Sequence, residues 1–311
     1  MKSKLEERIY KAQSLGNVEP IEHMVPYPNL RALIDGQNVK YSNKMVYEDS
    51  GLTSKKLFAA AQQTAHWLKD SGVKGSDRVL MVGLDSDSAI ILAHGIWTLG
   101  ASLILARKND RVKAQEAASP ALTVTWSDKF QDKIKSFPAV FEPDYKPLLH
   151  QEAVVYWSNN KGIRLSHYNL LVNANGVHLA LNLKQNQTFR ADLSPDTTAW
   201  VILQVILPLY SGTALTSQNP DIVLGLPGQF EKTNFIIDFD WQELKNHKPP
   251  HLTVCPENTA FLSLNREPLH MTAFEGDNRP HKIEGHAVMM GYLETRENEA
   301  AFKSGGLLIE N

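Results

Sequence analysis

The stretch YWSNNKGIRLSHYNL (156–170) carries the residue types of an anion site. An apolar run, EAVVYW (152–157), feeds it, and a helical pattern, SHYNLLVNANGVHLALNL (166–183), follows it. Between them stand Ser158, Asn159, Asn160, Lys161 and Gly162. A lysine, a hydroxyl and backbone N–H groups ahead of a helix are the parts from which phosphate sites are made. Glycines let a backbone fold closely around phosphates, and none stands between Tyr156 and Lys161. Asn159 and Asn160 tolerate left-handed backbone and donate hydrogen bonds, so a tighter turn could still hold an anion at Lys161. The plainer reading is a solvated lysine in a turn.

Other reactive types are sparse. Cys255 is the one cysteine, which excludes an internal disulfide and a thiolate cluster. CPEN after HLTV reads as the end of a strand rather than as a nucleophile. His281 and His286 flank Glu284, but the spacing is not that of a strong metal motif, so the group reads as a loop-surface cluster and no metal site is assigned. In LSPDTTAW (193–200), Ser194 or Asp196 reads as the N-cap of the apolar helix that follows.

These residues need elements to hold them. Residues 52–70 open on Thr53 as an N-cap, and Leu57, Ala61, Ala65 and Leu68 recur on one helical face. SGVKGSDR (71–78) is a turn, and RVLMVGL is a continuous apolar run, as a parallel strand covered on both faces requires. DSDSAIILAHGIWTLG reads as a helix and ASLILA as the next strand. The long apolar stretch 89–106 raises a transmembrane reading, but His94 and the TLGAS turn favour a buried helix followed by a buried strand. ALTVTW (121–126) and EAVVYW are further strands, and WVILQVILPLYSG (200–212) is an apolar helix ending at Gly212. NFIIDF (234–239) and HLTVC (251–255) are short strand candidates. This alternation predicts an α/β fold with a mostly parallel, helix-covered sheet, its site at the carboxyl ends of the strands. Composition shifts near residue 216, which suggests a main lobe over 1–216 and a second, shortened unit over 217–311.

The chain has 311 residues, 42% of them hydrophobic, and a formal net charge of −2. That suffices for a sizeable core and gives no global field to draw nucleic acid or an anionic membrane. The N-terminus, MKSKLEERIYKAQSL, lacks the apolar core of a signal peptide, so a cytoplasmic location is expected.

Three segments together resemble the adenylate-forming superfamily of acyl-CoA synthetases and related AMP-dependent ligases. They are LTSKKLFAAAQQTAHWLKDSGVKGSDRVLMVGLDSDSAIILAHGIWTLGASLIL (52–105), VVYWSNNKGIRLSHYNLLVNA (154–174) and HAVMMGYLETRENEAAFKSGGLL (286–308). The resemblance implies a shortened version of that family's N-terminal domain. It implies ATP or AMP with Mg²⁺ as the nucleotide, and CoA or an acyl carrier as a further partner. Ser158, Asn159, Asn160, Lys161 and Gly162 would be the remnant of the family's TSGTTGxPKG phosphate loop, about four residues shorter. Asp196, with Trp200 close by, would stand where the family has a histidine beside the acyl pocket.

The departures from the family are equally specific. No YGxTE segment is recognisable, and the span between Gly212 and Gly285 reads as too short for it and the sheet around it. The family's ribose-binding Asp falls at Asn311, and its C-terminal lid with the catalytic lysine has no counterpart in this sequence. Three readings stay open. One is a degenerate relative that cannot adenylate alone and binds an acyl group, a carrier protein or a partner. Another is a minimal active acid–thiol ligase, with Asp196 or Glu284 holding metal and a partner supplying the lid. The third is a structural assembly subunit. None of them involves nucleic acid or a membrane span.

Overall fold

In a computed structural model, residues 3–240, 250–276, 281–303 and 305–309 are described. The fold is α/β, built on three sheets. The first has six strands, in the order 291–292, 161–166, 152–158, 102–106, 78–82, 122–125. Its last four strands run parallel, and the 161–166 and 291–292 strands are antiparallel additions at one edge. Period-2 alternation sorts its side chains. Val79, Met81, Leu103, Leu105, Val154 and Tyr156 enter the main core. Leu80, Ile104, Ala106, Val155 and Trp157 form a smaller core with Ala114 and Ala118 of the Arg111–Ala118 helix. Both faces are thus covered, which is why these strands read as unbroken apolar runs.

A second sheet of nine strands includes 188–191, 222–225, 235–238 and 251–254 in parallel. It takes strands from both sides of residue 216. A third, four-stranded sheet is wholly antiparallel and was not expected. The span between Gly212 and Gly285 is therefore not too short for a sheet, since it carries eight strands. What is short there is the covering: among the described residues, its only helix is the single turn Pro256–Asn258. The 222–225 and 235–238 strands are joined across residues 226–234 with no helix. This is shorter than the dozen or so residues of an ordinary parallel crossover.

The helices begin and end on the expected signals. Thr53 caps Ser54–Asp70 by accepting from the Lys56 N–H, and Leu57, Ala61, Ala65 and Leu68 are fully buried. Ser166 caps His167–Leu181 in a capping box with Asn169. Asp85 caps Ser86–Leu99, which is wrapped by the core; among the described residues no helix is long and apolar enough to cross a membrane. The apolar helix after Thr198 contains a π-helical stretch, Val201–Ile206, and ends at Gly212 with φ 68°. Tyr47 donates its hydroxyl to the Gln204 carbonyl at 2.8 Å in that stretch, serving backbone the wider turn leaves open.

Two buried amides tie the helix 167–181 to the chain beyond it. Asn173 pairs with the Phe261 backbone, donating at 2.7 Å and accepting at 3.1 Å. Asn169 donates to the carbonyls of His286 and Val288. His286 is itself fully buried and bonded to the Tyr168 hydroxyl, whereas His281 is exposed beside Glu275. The two histidines therefore do not form the expected loop-surface cluster.

Burial holds the imidazoles of His94 and His167 neutral, pushing both down to about 3. His167 Nδ1 accepts the Leu30 N–H, a bond only the neutral ring can make. Each group binds its proton in the unfolded chain near pH 6.5 but not in the fold. Stability is therefore complete above that pH and falls on acidification. Urea unfolding between pH 6 and 5 is expected to lose about 2.5 kcal/mol from the two groups together, and an equilibrium melt series at these pH values measures it.

Candidate functional site

The stretch 156–170 is not a loop running into a helix. Residues Glu152–Ser158 and Lys161–Ser166 form an antiparallel hairpin in which Ser158 faces Lys161 directly across the ladder. Only Asn159 and Asn160 remain to turn the chain, with φ of 51° and 60°. Two consecutive left-handed residues make the two-residue type I′ connection that matches the twist of a hairpin. The residues taken for a phosphate loop are thus strand ends and a minimal turn. No backbone loop stands there to wrap a phosphate chain.

At the far end of the hairpin an ion-pair clamp ties the strands together. Glu152 receives both Nε and Nη2 of Arg78 at 2.8 Å and the Nε of Arg164 at 2.7 Å. Burial alone would raise the Glu152 carboxyl, but the two guanidiniums outweigh it and hold it below the usual carboxylate range. The clamp joins three strands, and a bulge between Glu152 and Val154 separates it from the regular ladder that runs to Ser158.

The expected ligands separate accordingly. Ser158, Asn159 and Lys161 line a cavity of about 510 Å³ with Arg107, Tyr156, Glu257 and Tyr292. Lys161 Nζ lies 5.1 Å from the centre of the Tyr292 ring, within cation–π range. Asn160 leaves this group, because its Oδ1 accepts from Lys113 Nζ at 2.8 Å. Gly162 is buried, and a Cβ there would fall 2.4 Å from Leu293 Cδ1. It lets a strand pack and does not face a ligand.

A second cavity, of about 440 Å³, shares Arg107, Phe239 and Asp240 with the first and holds Asp196. Asp196 does not cap the following helix, and nor does Ser194; Thr197 does, accepting from the Trp200 N–H. Trp200 is fully buried and does not line either cavity. Both cavities open at the carboxyl ends of parallel strands, just beyond Ala106, Ala191, Gly225, Asp238 and Val254. That is where α/β sheets collect ligands.

Arg107, Glu257, Asp238 and Asp240 were not anticipated as site residues. Each lies at or just past the end of a strand the sequence did suggest, and that position was the available signal. Cys255 lines the cavity wall, but burial first, and then Glu257, drives its thiol well above the ordinary range. Glu257 accepts from the Tyr292 hydroxyl at 3.4 Å, whose own ionisation burial pushes up. Glu284 pairs with Lys282 at 2.7 Å on the four-stranded sheet and is absent from both cavities. Among the described residues no group of three His, Cys, Asp or Glu is placed to hold a metal. The position expected for a ribose-binding Asp, Asn311, lies outside the described residues.

Solved structures resemble this architecture closely. Apo MatB from Rhodopseudomonas palustris superposes with a TM-score of 0.77 at 15% identity, over 91% of this chain and 75% of that one. The N-terminal domain of FACL13 from Mycobacterium tuberculosis gives 0.74 at 15%, over 90% and 95%. O-succinylbenzoate CoA synthetase (MenE) from Bacillus subtilis, in complex with ATP and magnesium, gives 0.72 at 16%, over 89% and 94%. This chain has the adenylate-forming ligase fold. At such identities the likeness is one of fold, and no protein-family model and no curated protein matches the sequence. Where the resemblance implies a phosphate loop, the hairpin tip of this chain offers two turn residues, Asn159 and Asn160.

The left-handed turn makes its own prediction. Replacing Asn159 and Asn160 together by alanine is expected to cost about 1–2 kcal/mol in urea unfolding, whereas Asn160→Gly stays within a few tenths of wild type. Equal losses for the alanine and glycine variants would mean the turn is not left-handed at both positions.

Proposed function

We propose that this protein binds a carboxylic acid or acyl group in the cleft formed by the two cavities and does not adenylate it unaided. The observation that carries this reading is the two-residue turn between Ser158 and Lys161. Attack of a carboxylate on an α-phosphorus brings two anions together and depends on positioned donors and cations. Removing one such donor from an enzyme costs about 3 kcal/mol of transition-state stabilisation. Here the segment from Ser158 to Lys161 closes on a two-residue turn in place of the loop of donors the resemblance implies. Binding requires less. Arg107 stands at the junction of the two cavities, and an acid's body has an apolar wall to lie on, formed by Leu193, Leu226, Ile237 and Phe239. The structural neighbours include ligases solved with ATP and magnesium or with an acyl-adenylate, which supports an acid as the ligand of this fold. A carrier protein or CoA as acceptor belongs to the same reading, since one neighbour is an adenylation–carrier di-domain.

A minimal active ligase is the second reading. It is favoured by the 510 Å³ cavity, which retains Ser158, Lys161 and Arg107 together and has room for a nucleoside monophosphate. Calorimetry with AMP and with ATP, each with and without Mg²⁺, separates the two readings when combined with acid-dependent pyrophosphate exchange. The expected result is no exchange above background and no gain in affinity from AMP to ATP. Exchange that disappears in Lys161→Ala would overturn the first reading in favour of the second.

A further inference from the structure

Residues 14–28 cross the domain as an irregular strap fastened at both ends by amides. Gln13 donates to the carbonyls of Val288 and Met289, and Asn29 donates to that of Pro147. Neither fastening titrates. In its middle the strap is held through ionisable side chains. The Tyr168 hydroxyl lies 3.2 Å from the His23 carbonyl. His286 Nε2 lies 3.3 Å from the Val18 carbonyl, to which it can only donate. His286 Nδ1 in turn stands 2.5 Å from the Tyr168 oxygen.

The strap closes at a cost. Ile21 has φ 74°, in the left-handed region where a β-branched residue is strained. A cavity of about 220 Å³ separates Ile9, Pro20 and Ile21 from Tyr168, Asn169 and His286, so the two sides forgo much of their packing contact. Imidazoles also crowd there. The ring of His23 lies 5.0 Å from that of His270 and 6.2 Å from that of His286, which is fully buried. Glu22 is the nearby acid that favours a charge on His286, and His150 lines the same cavity.

Proton counting and burial set the direction. Neutral His286 carries its proton on Nε2 for Val18, so Nδ1 accepts the Tyr168 proton. A second proton on the ring could be bonded too, with Tyr168 turning its own to the His23 carbonyl. What opposes it is the charge itself, placed in a fully buried ring beside other imidazoles. Burial foremost holds His23 and His286 below the ordinary histidine range, and His270 adds to it at both, while the Val18 carbonyl and Glu22 oppose it at His286. The closed strap therefore binds protons less readily than an open one, and acid favours opening. We infer that residues 14–28 are a pH-operated strap, latched while His286 is neutral and released from the domain on acidification. The latch is complete above about pH 6.5 and weakens as the pH falls from there. Release frees the Tyr168 side of the helix His167–Leu181 and opens the cavity to solvent.

Hydrogen exchange of the full chain, read by mass spectrometry at about pH 7.5 and about pH 5.5 and corrected for intrinsic rates, tests this. The strap has its own protected amides, since the N–H groups of Leu15 and Val18 each donate to the other's carbonyl. Their protection is expected to lie below that of the core helix 54–70 and to fall about tenfold over this range, the change that one histidine suppressed by the closed state produces. His286→Gln keeps a donor for Val18 and cannot titrate. It should remove most of the strap's acid loss and leave that of the helix 54–70, which follows His94 and His167, unchanged. His270→Gln, at an exposed position, should reduce the strap's loss as well and decides the matter if His286→Gln fails to fold. Strap protection that stays constant or rises on acidification would overturn the inference. So would a strap that exchanges only together with 54–70, or an acid loss undiminished in every variant that folds.

Discussion

The register of Glu152–Ser158 against Lys161–Ser166 is the constraint on which the site depends. At one end Glu152 is clamped by Arg78 and Arg164, so the strand cannot slide without uncovering a buried carboxylate. A one-residue slip would also turn Val154 and Tyr156 away from the main core and drive Val155 and Trp157 into it. From Val154 to the tip the ladder is regular, Ser158 pairs with Lys161, and two residues reverse the chain. The asparagines meet that demand because their short polar side chains tolerate left-handed backbone better than most L-residues. The same geometry sets Ser158 and Lys161 on one face, toward the cavity, since directly opposed residues of an antiparallel pair share a face.

A second constraint joins the two large sheets. Parallel strands of both deliver their carboxyl ends to the two cavities, and the helix His167–Leu181 is held to the chain beyond it by Asn169 and Asn173 rather than by apolar contact alone. Buried amides with both groups satisfied fix geometry in a way that interchangeable methyl groups do not. Because of that fixed relation, Arg107 from the first sheet and Phe239 and Asp240 from the second border the same two cavities.

Much of this was legible in the sequence. The helix at 54–70, the buried strands at 78–82, 102–106 and 152–158 and the capped helix at 167–181 follow from period, burial and capping chemistry. The hairpin was legible too, as two asparagines between a strand and the alternating KGIRLS, but the Lys-Gly and Ser-His-x-Asn-Leu pattern drew the reading toward a loop. Glu257 was hidden because nothing local distinguishes a strand-end acid that faces a cavity from one that faces water; only the parallel packing of 251–254 decides it. Asp238 posed the same problem more sharply, since an aspartate inside FIIDF reads as a strand residue whichever way its carboxylate is turned. Trp200 failed in the opposite sense, because an aromatic next to a candidate pocket residue is as readily core as wall, and the π-helical stretch beginning at Val201 changes which side chains face inward.

The hairpin tip and the walls of the 440 Å³ cavity are carried by different sheets. Shortening the hairpin alters the tip of a strand pair in the six-stranded sheet. It leaves untouched the ends of 188–191, 222–225 and 235–238, which wall the neighbouring cavity. Only Arg107, just past the 102–106 strand of the first sheet, joins Phe239 and Asp240 of the second in both spaces. A catalytic step needs both ends aligned to within a fraction of an ångström, whereas holding a ligand needs one well-walled cavity and a matched charge. On the acid-binding reading proposed above, a fold divided this way lets the hairpin tip change without disturbing the walls of the neighbouring cavity.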